Sequence, residues 1–428
     1  MKDQTTLRRD LESGALDARL TALCGCTGAA LAEKRGRLFR LLEAYGAAFG
    51  TGGAAGLFSG PGRTEMGGNH TDHQHGCVLA AAIDLDALAC AGPNGSNTVR
   101  ILSAGYPDIA VDLSGRAPVE AEKETSAALV RGIAARFAEL GYPVGGFNAC
   151  VDSTVLGGSG LSSSAAYEVL IGIIINHLFC GDEVTLVQIA QIGQYAENVY
   201  FGKPCGLMDQ LASAVGGIVS IDFQNPDEPA VHKLDYDLSG SGYALCIIDS
   251  GADHADLTAE YAAIPAEMGA AARCFGKEVL RDVDYHEFWD GIPKVRAAAG
   301  DRAVLRAVHF FIDNYYAQKE AQALEKDNFT GFLTMADKSG RSSSTLLQNL
   351  YCTAQPQAQA VNIALTAAQH LLAGDGAARV HGGGFAGTVQ AYVPNGRIDA
   401  FRAGMEAILG EGCCHFLRIR PEGGAVIV

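Results

Sequence analysis

Apolar and polar positions follow two rhythms along this chain, and each change of rhythm marks an element. Up to about residue 50, apolar residues recur at helical spacing. They fall at Leu20, Leu23, Leu31, Leu38, Leu41, Leu42 and Phe49 among charged neighbours, which predicts an amphipathic helical lead-in. Leu57 and Phe58 then enter a polar stretch, SGPGRTEMGGNHTDHQHG, read as a loop that ends at the apolar run CVLAAAIDL. Strands are expected at Ala87–Cys90 and Thr98–Leu102 around a Pro93-Asn94-Gly95 turn. Helical spacing returns from Thr125 to Leu140, where Gly141 and Pro143 stop it. Phe147–Val155 again reads as a strand. It delivers the chain to VLGGSGLSSS and then to AAYEVLIGIIINHLF, a glycine- and serine-rich loop feeding a long buried helix that ends near Gly181.

Leu186–Tyr200 reads as the next helix, with Glu197 near its C-terminal end. The turn GKPCGLMDQLASAVGG and a strand at Gly217–Phe223 follow. Residues 224–240 are polar and carry Pro226 and Pro229, so they are the candidate boundary between domains at 1–235 and 236–428. Beyond it come a strand at Tyr243–Asp249, a polar turn through His254, and helices containing Tyr261. Residues 270–372 are largely helical. ARVHGGGFAGTVQAYVP sets a glycine-rich turn between two strands, Ile398–Leu409 reads as a helix, and Ala425–Val428 closes the chain as a strand.

Composition narrows the class. The 428 residues, 48% hydrophobic, can build two substantial domains with a sizeable core. A formal net charge of −16 argues against a nucleic-acid surface, yet a small anion can still be held by helix N-termini or a bound cation. The 12 cysteines are scattered, and Cys24/Cys26 and Cys413/Cys414 lack zinc-site spacing, so reduced thiols are expected. No basic segment followed by an apolar one opens the chain, and apolar runs such as Val169–Ile175 are too short to span a bilayer. A soluble cytoplasmic protein is the expectation.

The candidate chemistry starts at the glycine/serine junction. The first turn of a helix leaves backbone N–H groups unpaired at the positive end of the macrodipole, which favours phosphate oxygens. Gly157, Gly158 and Gly160 allow close approach, and Ser162, Ser163 and Ser164 add hydroxyls for a cap, a phosphate or a metal. No Gly-Lys-Ser/Thr follows, so this is not a Walker A loop. Arg63, His70 and Asp72 gather in the polar stretch between buried segments. Glu197 opposes the dipole of its helix, which points to a nearby cation or donor; pairing with Lys203 is the alternative. Asp209 opens a short helical pattern, where an N-cap is the alternative to chemistry.

Four motifs in order resemble those of the GHMP kinase superfamily and, within it, the galactokinase family. Pro61-Gly62-Arg63 with Gly68-Asn69-His70-Thr71-Asp72 is similar to the signature in which PGR precedes GEHTD. GGSGLSSSAA (Gly157–Ala166) resembles the phosphate loop, PCGLMDQ (Pro204–Gln210) the catalytic-aspartate turn, and HGGGFAGT (His381–Thr388) the C-terminal glycine motif. The resemblance implies a two-domain α+β fold: an N-terminal domain like the second domain of ribosomal protein S5, and a ferredoxin-like C-terminal domain. It implies ATP and Mg²⁺, a small sugar as substrate, and phosphorylation of the anomeric hydroxyl of galactose.

By the same resemblance, Asp209 is the catalytic carboxylate and Arg63 the cation beside the transferred phosphoryl group, lowering the aspartate's pKa. Gly157, Gly158, Ser159, Gly160, Leu161, Ser162, Ser163 and Ser164 hold ATP, and Ser164 and Glu197 hold Mg²⁺. Asn69, His70, Asp72, Gly206 and Tyr261 hold the sugar. His381 is expected to be structural. The departures lie in the first motif. Thr64-Glu65-Met66-Gly67 replaces Val-Asn-Leu-Ile, His73-Gln74 replaces Tyr-Asn, and Asn69 replaces a glutamate that contacts the sugar's C6 hydroxyl. That last change leaves open a related sugar, such as N-acetylgalactosamine or galacturonate. A catalytically silent sugar sensor is the reading from another class, against which SSSAA, Arg63 and Asp209 all count.

Overall fold

The computed structural model describes residues 1–155, 157, 160–252 and 257–428, without the side chain of residue 258. Its strands fall into two sheets, one of nine strands and one of four. The larger sheet is built on two long antiparallel strands, Ala54–Gly67 and Cys77–Pro93. Phe147–Ser153 and Ile218–Asp222 pair with different halves of the second strand.

The run CVLAAAIDLDALACAGP reads as nearly continuous apolar sequence because that strand is buried on both faces. Side chains alternate between cores. Val78, Ala80, Ala87, Ala89 and Ala91 face one, which is filled by the helix Ser163–Phe179. On the opposite face, Leu79, Ala81 and Ile83 pack toward the second sheet, while Leu88 and Cys90 pack under the N-terminal helices. The lead-in resolves into Gln4–Glu12, Asp17–Cys24 and Gly28–Phe49. Lys34 and Arg37 of the last helix meet the fully buried Asp86 at 2.6 and 2.8 Å, and Arg420 reaches it at 3.1 Å. One carboxylate therefore ties lead-in, sheet and C-terminal tail together.

The second sheet runs Ala377–Val380, Thr388–Pro394, Tyr243–Asp249, Cys414–Leu417, all antiparallel. With Ile398–Leu409 between its last two strands in sequence, this is the ferredoxin-like order. Ala425 and Val426 then return to the larger sheet opposite Ser59 and Phe58.

The polar stretch after Phe58 is only partly a loop. The strand continues through PGRTEMG to Gly67, and the turn is confined to residues 68–76. Polarity misleads here because Thr64 and Glu65 are buried by the second sheet, whose Gln390 and Arg379 take up their polar atoms. Pro61 is tolerated at one of two register shifts, between Pro61 and Arg63 and between Glu65 and Gly67. Two short strands inside expected loops, Ile109–Asp112 and Ala230–Leu234, are edge additions. The expected turn through His254 lies outside the described residues.

Candidate active site

The strand Ala54–Gly67 crosses beneath the start of the helix Ser163–Phe179. The approach is so close that a Cβ on Gly60 would collide with the carbonyl of Ala166, so only glycine fits. Arg63 leaves the strand at its first register shift, donates its backbone N–H to Leu161 at 3.1 Å, and sends one guanidinium nitrogen to the Gly160 carbonyl.

Its other two nitrogens, Nε and Nη2, donate to Oδ1 and Oδ2 of Asp209, both at 2.6 Å. Asp209 sits in the first turn of Met208–Val215, two residues past the N-cap Leu207, and its side chain leaves the helix for this pairing. Ser162 donates its hydroxyl to the same carboxylate at 2.7 Å. Burial pushes the Asp209 carboxyl up, but the Arg63 charge, its two hydrogen bonds and the Ser162 bond outweigh that and hold it below the usual range. Arg63 is 7% exposed and Asp209 28%, so the aspartate is the more accessible partner.

The phosphate loop arrives at this pair with Gly160 at φ +70° and Ser162 at φ 55°. The second value is unfavourable for serine, and it turns the hydroxyl away from capping its helix and toward Asp209. Ser163 and Ser164 occupy the first turn, where backbone N–H groups point outward. Gly157 and Ser163 are exposed, Leu161 is buried, and Gly158 and Ser159 lie outside the described residues.

Ser164 donates to Glu197 at 3.4 Å. Glu197 opens a π-turn, Glu197–Phe201, after the helix Leu186–Ala196, and burial raises its carboxyl. Lys203 donates its backbone N–H to the Glu197 carbonyl at 3.2 Å, and among the described residues no side-chain ion pair joins the two. Gln210 is a residue that sequence reasoning missed. Its Nε2 donates to Glu197 Oε2 at 3.0 Å and to the fully buried Glu168 Oε2 at 2.9 Å. The available signal was position: Gln210 follows Asp209, and Glu168 lies one helical turn beyond Ser164.

Asp72 and Gly206 meet closely, because a Cβ on Gly206 would occupy the place of Asp72 Oδ2. Tyr261 donates its hydroxyl to the Gly384 carbonyl at 2.8 Å and packs over Gly383. His70 is half-buried, donates from Nε2 to the Gly383 carbonyl at 3.0 Å, and is neutral, desolvation having dropped its pKa to about 3. Asn69 is 0% exposed and bonded on every side by protein groups. His381 bridges Thr64 and Thr388 at 3.0 and 2.9 Å.

The arrangement offers a carboxylate pinned by a guanidinium, a helix N-terminus for phosphate, and paired hard oxygens at Ser164 and Glu197. These are the elements that in-line phosphoryl transfer to a hydroxyl uses.

Comparison with known proteins agrees. Residues 128–217 match the GHMP kinases N terminal domain and residues 43–93 the galactokinase galactose-binding signature. Among solved structures, a Lactococcus lactis galactokinase complexed with galactose superposes with a TM-score of 0.77 at 23% identity, covering 90% of this chain and 98% of that one. Mevalonate kinase from L. major gives 0.58 at 13% identity over 87% and 97%. A D-glycero-D-manno-heptose 1-phosphate kinase from Bacteriodes thetaiotaomicron gives 0.58 at 14% identity over 87% and 98%. At such identities the structures establish the two-domain fold, and residues 128–217 and 43–93 carry the likeness to the GHMP kinases N terminal domain and to the galactokinase galactose-binding signature.

Proposed function

We propose that this protein transfers the γ-phosphoryl group of ATP to the anomeric hydroxyl of galactose, giving galactose 1-phosphate and ADP. The observation that carries the reading is the Arg63–Asp209–Ser162 cluster, set where the phosphate-loop helix begins, with Asp209 three residues beyond the Gly206 that meets Asp72. The domains are assigned as 1–235 and 236–428, with the tail 425–426 returning to the first. No helix among the described residues is long and apolar enough to cross a membrane, and a cytoplasmic location suits the ATP requirement.

Asp209 orients the anomeric hydroxyl toward the γ-phosphorus. As the new O–P bond forms and the bond to ADP breaks, the hydroxyl proton passes to Asp209. A carboxylate held at low pKa is a weak base. In a loose transition state the proton leaves late, so alignment is its main contribution. Arg63 keeps the carboxylate ionised and places positive charge beside the equatorial oxygens. Backbone N–H groups of residues 163–165 and the Ser163 hydroxyl face the phosphates.

Ser164 and Glu197 fit a Mg²⁺ ion. Their oxygens stand 3.4 Å apart, and adjacent ligands of an octahedral ion with bonds of about 2.1 Å stand about 3 Å apart. When bound, the ion neutralises phosphate charge. Among the described residues no three or more His, Cys, Asp or Glu side chains gather as a metal cage, which suits an ion that relies on nucleotide phosphates and water.

The test is incubation with ATP, Mg²⁺ and each of galactose, N-acetylgalactosamine and galacturonate, with the product identified by mass and by phosphorus–proton coupling at C1. A galactose 1-phosphate product supports the proposal. Phosphorylation of another sugar alone moves the substrate, and binding of sugar and ATP without product would make the protein a sensor.

A further inference from the structure

Asn69 occupies the position where the family resemblance expects a contact to the sugar's C6 hydroxyl, and its surroundings give it different work. An amide side chain has two N–H donors and two acceptor lone pairs. All four are spent. Nδ2 donates to the Glu65 carboxylate at 3.1 and 3.2 Å and to the Gly382 carbonyl at 2.7 Å. Oδ1 accepts from Asn349 Nδ2 at 2.8 Å and from the Ser343 hydroxyl at 3.2 Å. The backbone is held as firmly, its N–H donating to Asp313 at 2.6 Å and its carbonyl accepting from His309 at 2.8 Å. The residue is 0% exposed, so nothing remains to offer a ligand.

These partners come from separate parts of the chain: the strand ending at Gly67, the helix Asp301–Glu325, the turn after Ser342, and the glycine turn 381–388. The next residue repeats the attachment, His70 donating to the Gly383 carbonyl at 3.0 Å. Asn349 adds a bond to that carbonyl at 3.2 Å.

The site also requires an amide. A carboxylate at position 69 would face the Glu65 carboxylate and the Gly382 carbonyl, acceptor against acceptor. Asp313 and Glu320 add two further buried acids, and Arg379, bonded to Glu65 at 2.7 Å, is already engaged.

We propose that Asn69 is a positioning residue that pins the sugar-binding turn to the C-terminal glycine turn, and that it makes no contact with substrate. The second half rests on the sugar-kinase reading: with residue 69 so occupied, it does not read the C6 hydroxyl. A site built to bond a hydroxyl rejects the analogue lacking it by about 10⁴-fold, whereas a site that ignores it discriminates weakly.

Two measurements test this. Hydrogen exchange on the ligand-free protein compares wild type with Asn69→Ala. Exchange at least ~10-fold faster in both 65–76 and 381–388 is expected from loss of a buried hydrogen-bonded link, and unchanged protection at 381–388 overturns the pin whatever the activity. In parallel, kcat/KM is compared for galactose and 6-deoxygalactose. A wild-type ratio within about 10-fold supports an unread C6 hydroxyl, and a loss of about 10³-fold or more overturns it while leaving the kinase reading intact. Asn69→Glu sharpens the contrast, since a lower KM for galactose in this variant would show residue 69 facing the sugar. Failure to phosphorylate any sugar would defeat the kinase reading, and the exchange result would then decide the pin alone.

Discussion

Arg63 grips Asp209 through both carboxylate oxygens, at 2.6 Å each, from a strand 146 residues earlier in the chain. Lysine cannot reproduce that fork. Arg63→Lys is expected to lower kcat by about 10²–10³-fold and to change its pH dependence. In the native protein Asp209 titrates below 3.8 because Arg63 overcomes the effect of burial. With the fork lost, burial dominates, the carboxyl rises, and the acid limb of kcat moves to higher pH. The same depressed pKa contributes stability that is present above 3.8 and lost as pH falls further. A kcat–pH profile from 4 to 9 that matches the native one would contradict this coupling.

Gly206 is glycine because Asp72 lies where a side chain would be. Gly206→Ala is expected to displace the Asp72 carboxylate and raise the sugar KM by about 10-fold or more, through loss of roughly 1–3 kcal/mol of hydrogen bonding, with the nucleotide KM little changed. Equal shifts in both Michaelis constants would point to general disruption instead.

Gln210 joins Glu168 and Glu197 through one nitrogen, at 2.9 and 3.0 Å. Gln210→Leu removes the one donor shared by the two buried carboxylates and leaves Glu197 the longer bond from Ser164 at 3.4 Å, so its orientation loosens. The Mg²⁺ concentration for half-maximal rate at saturating ATP and sugar should rise about 10–100-fold, the usual cost of removing a group behind a metal ligand. An unchanged Mg²⁺ titration would show that Glu197 is held without Gln210, or that it is not a ligand.

Glu320 is fully buried with neither carboxylate oxygen bonded among the described residues. Burial raises its pKa well above the ordinary 4.5, and Glu65 is raised in the same way to about 7. The folded state therefore keeps protons that the unfolded chain has released. Stability falls as pH rises from the unfolded value through the folded one, by about 1.4 kcal/mol per pH unit for each such group. Glu320→Gln should flatten the decline and raise Tm at pH 8. Parallel Tm–pH curves for the two proteins would contradict the assignment.

Much of this site was legible in the residues. The glycine/serine junction, Arg63 and Asp209 announced themselves because phosphate binding and phosphoryl transfer demand special residue types at close sequence spacing. Ile398–Leu409 follows from periodicity, having one buried face, and Tyr243–Asp249 from a short apolar run buried on both faces of its sheet. What escaped depends on contacts across the chain. The strand through PGRTEMG looks like a loop until Arg379 and Gln390, over 300 residues later, bury its polar side chains. Asn69 looks like a weakened substrate contact until Ser343 and Asn349 are seen on its other side. Gln210 carries no chemistry of its own, so only its two partners reveal its use.

The decisive experiment is the single substitution Asp209→Asn, with kcat measured by release of ADP dependent on galactose and with affinities for galactose and ATP measured by calorimetry. An amide can still accept a hydrogen bond from the sugar but cannot take its proton or pair with Arg63 as a charge. A fall in kcat of about 10²–10⁴-fold with both affinities kept within a few-fold is the expected result. Turnover within a few-fold of wild type would contradict the account, because the carboxylate that Arg63 and Ser162 hold would then not be taking part in the reaction.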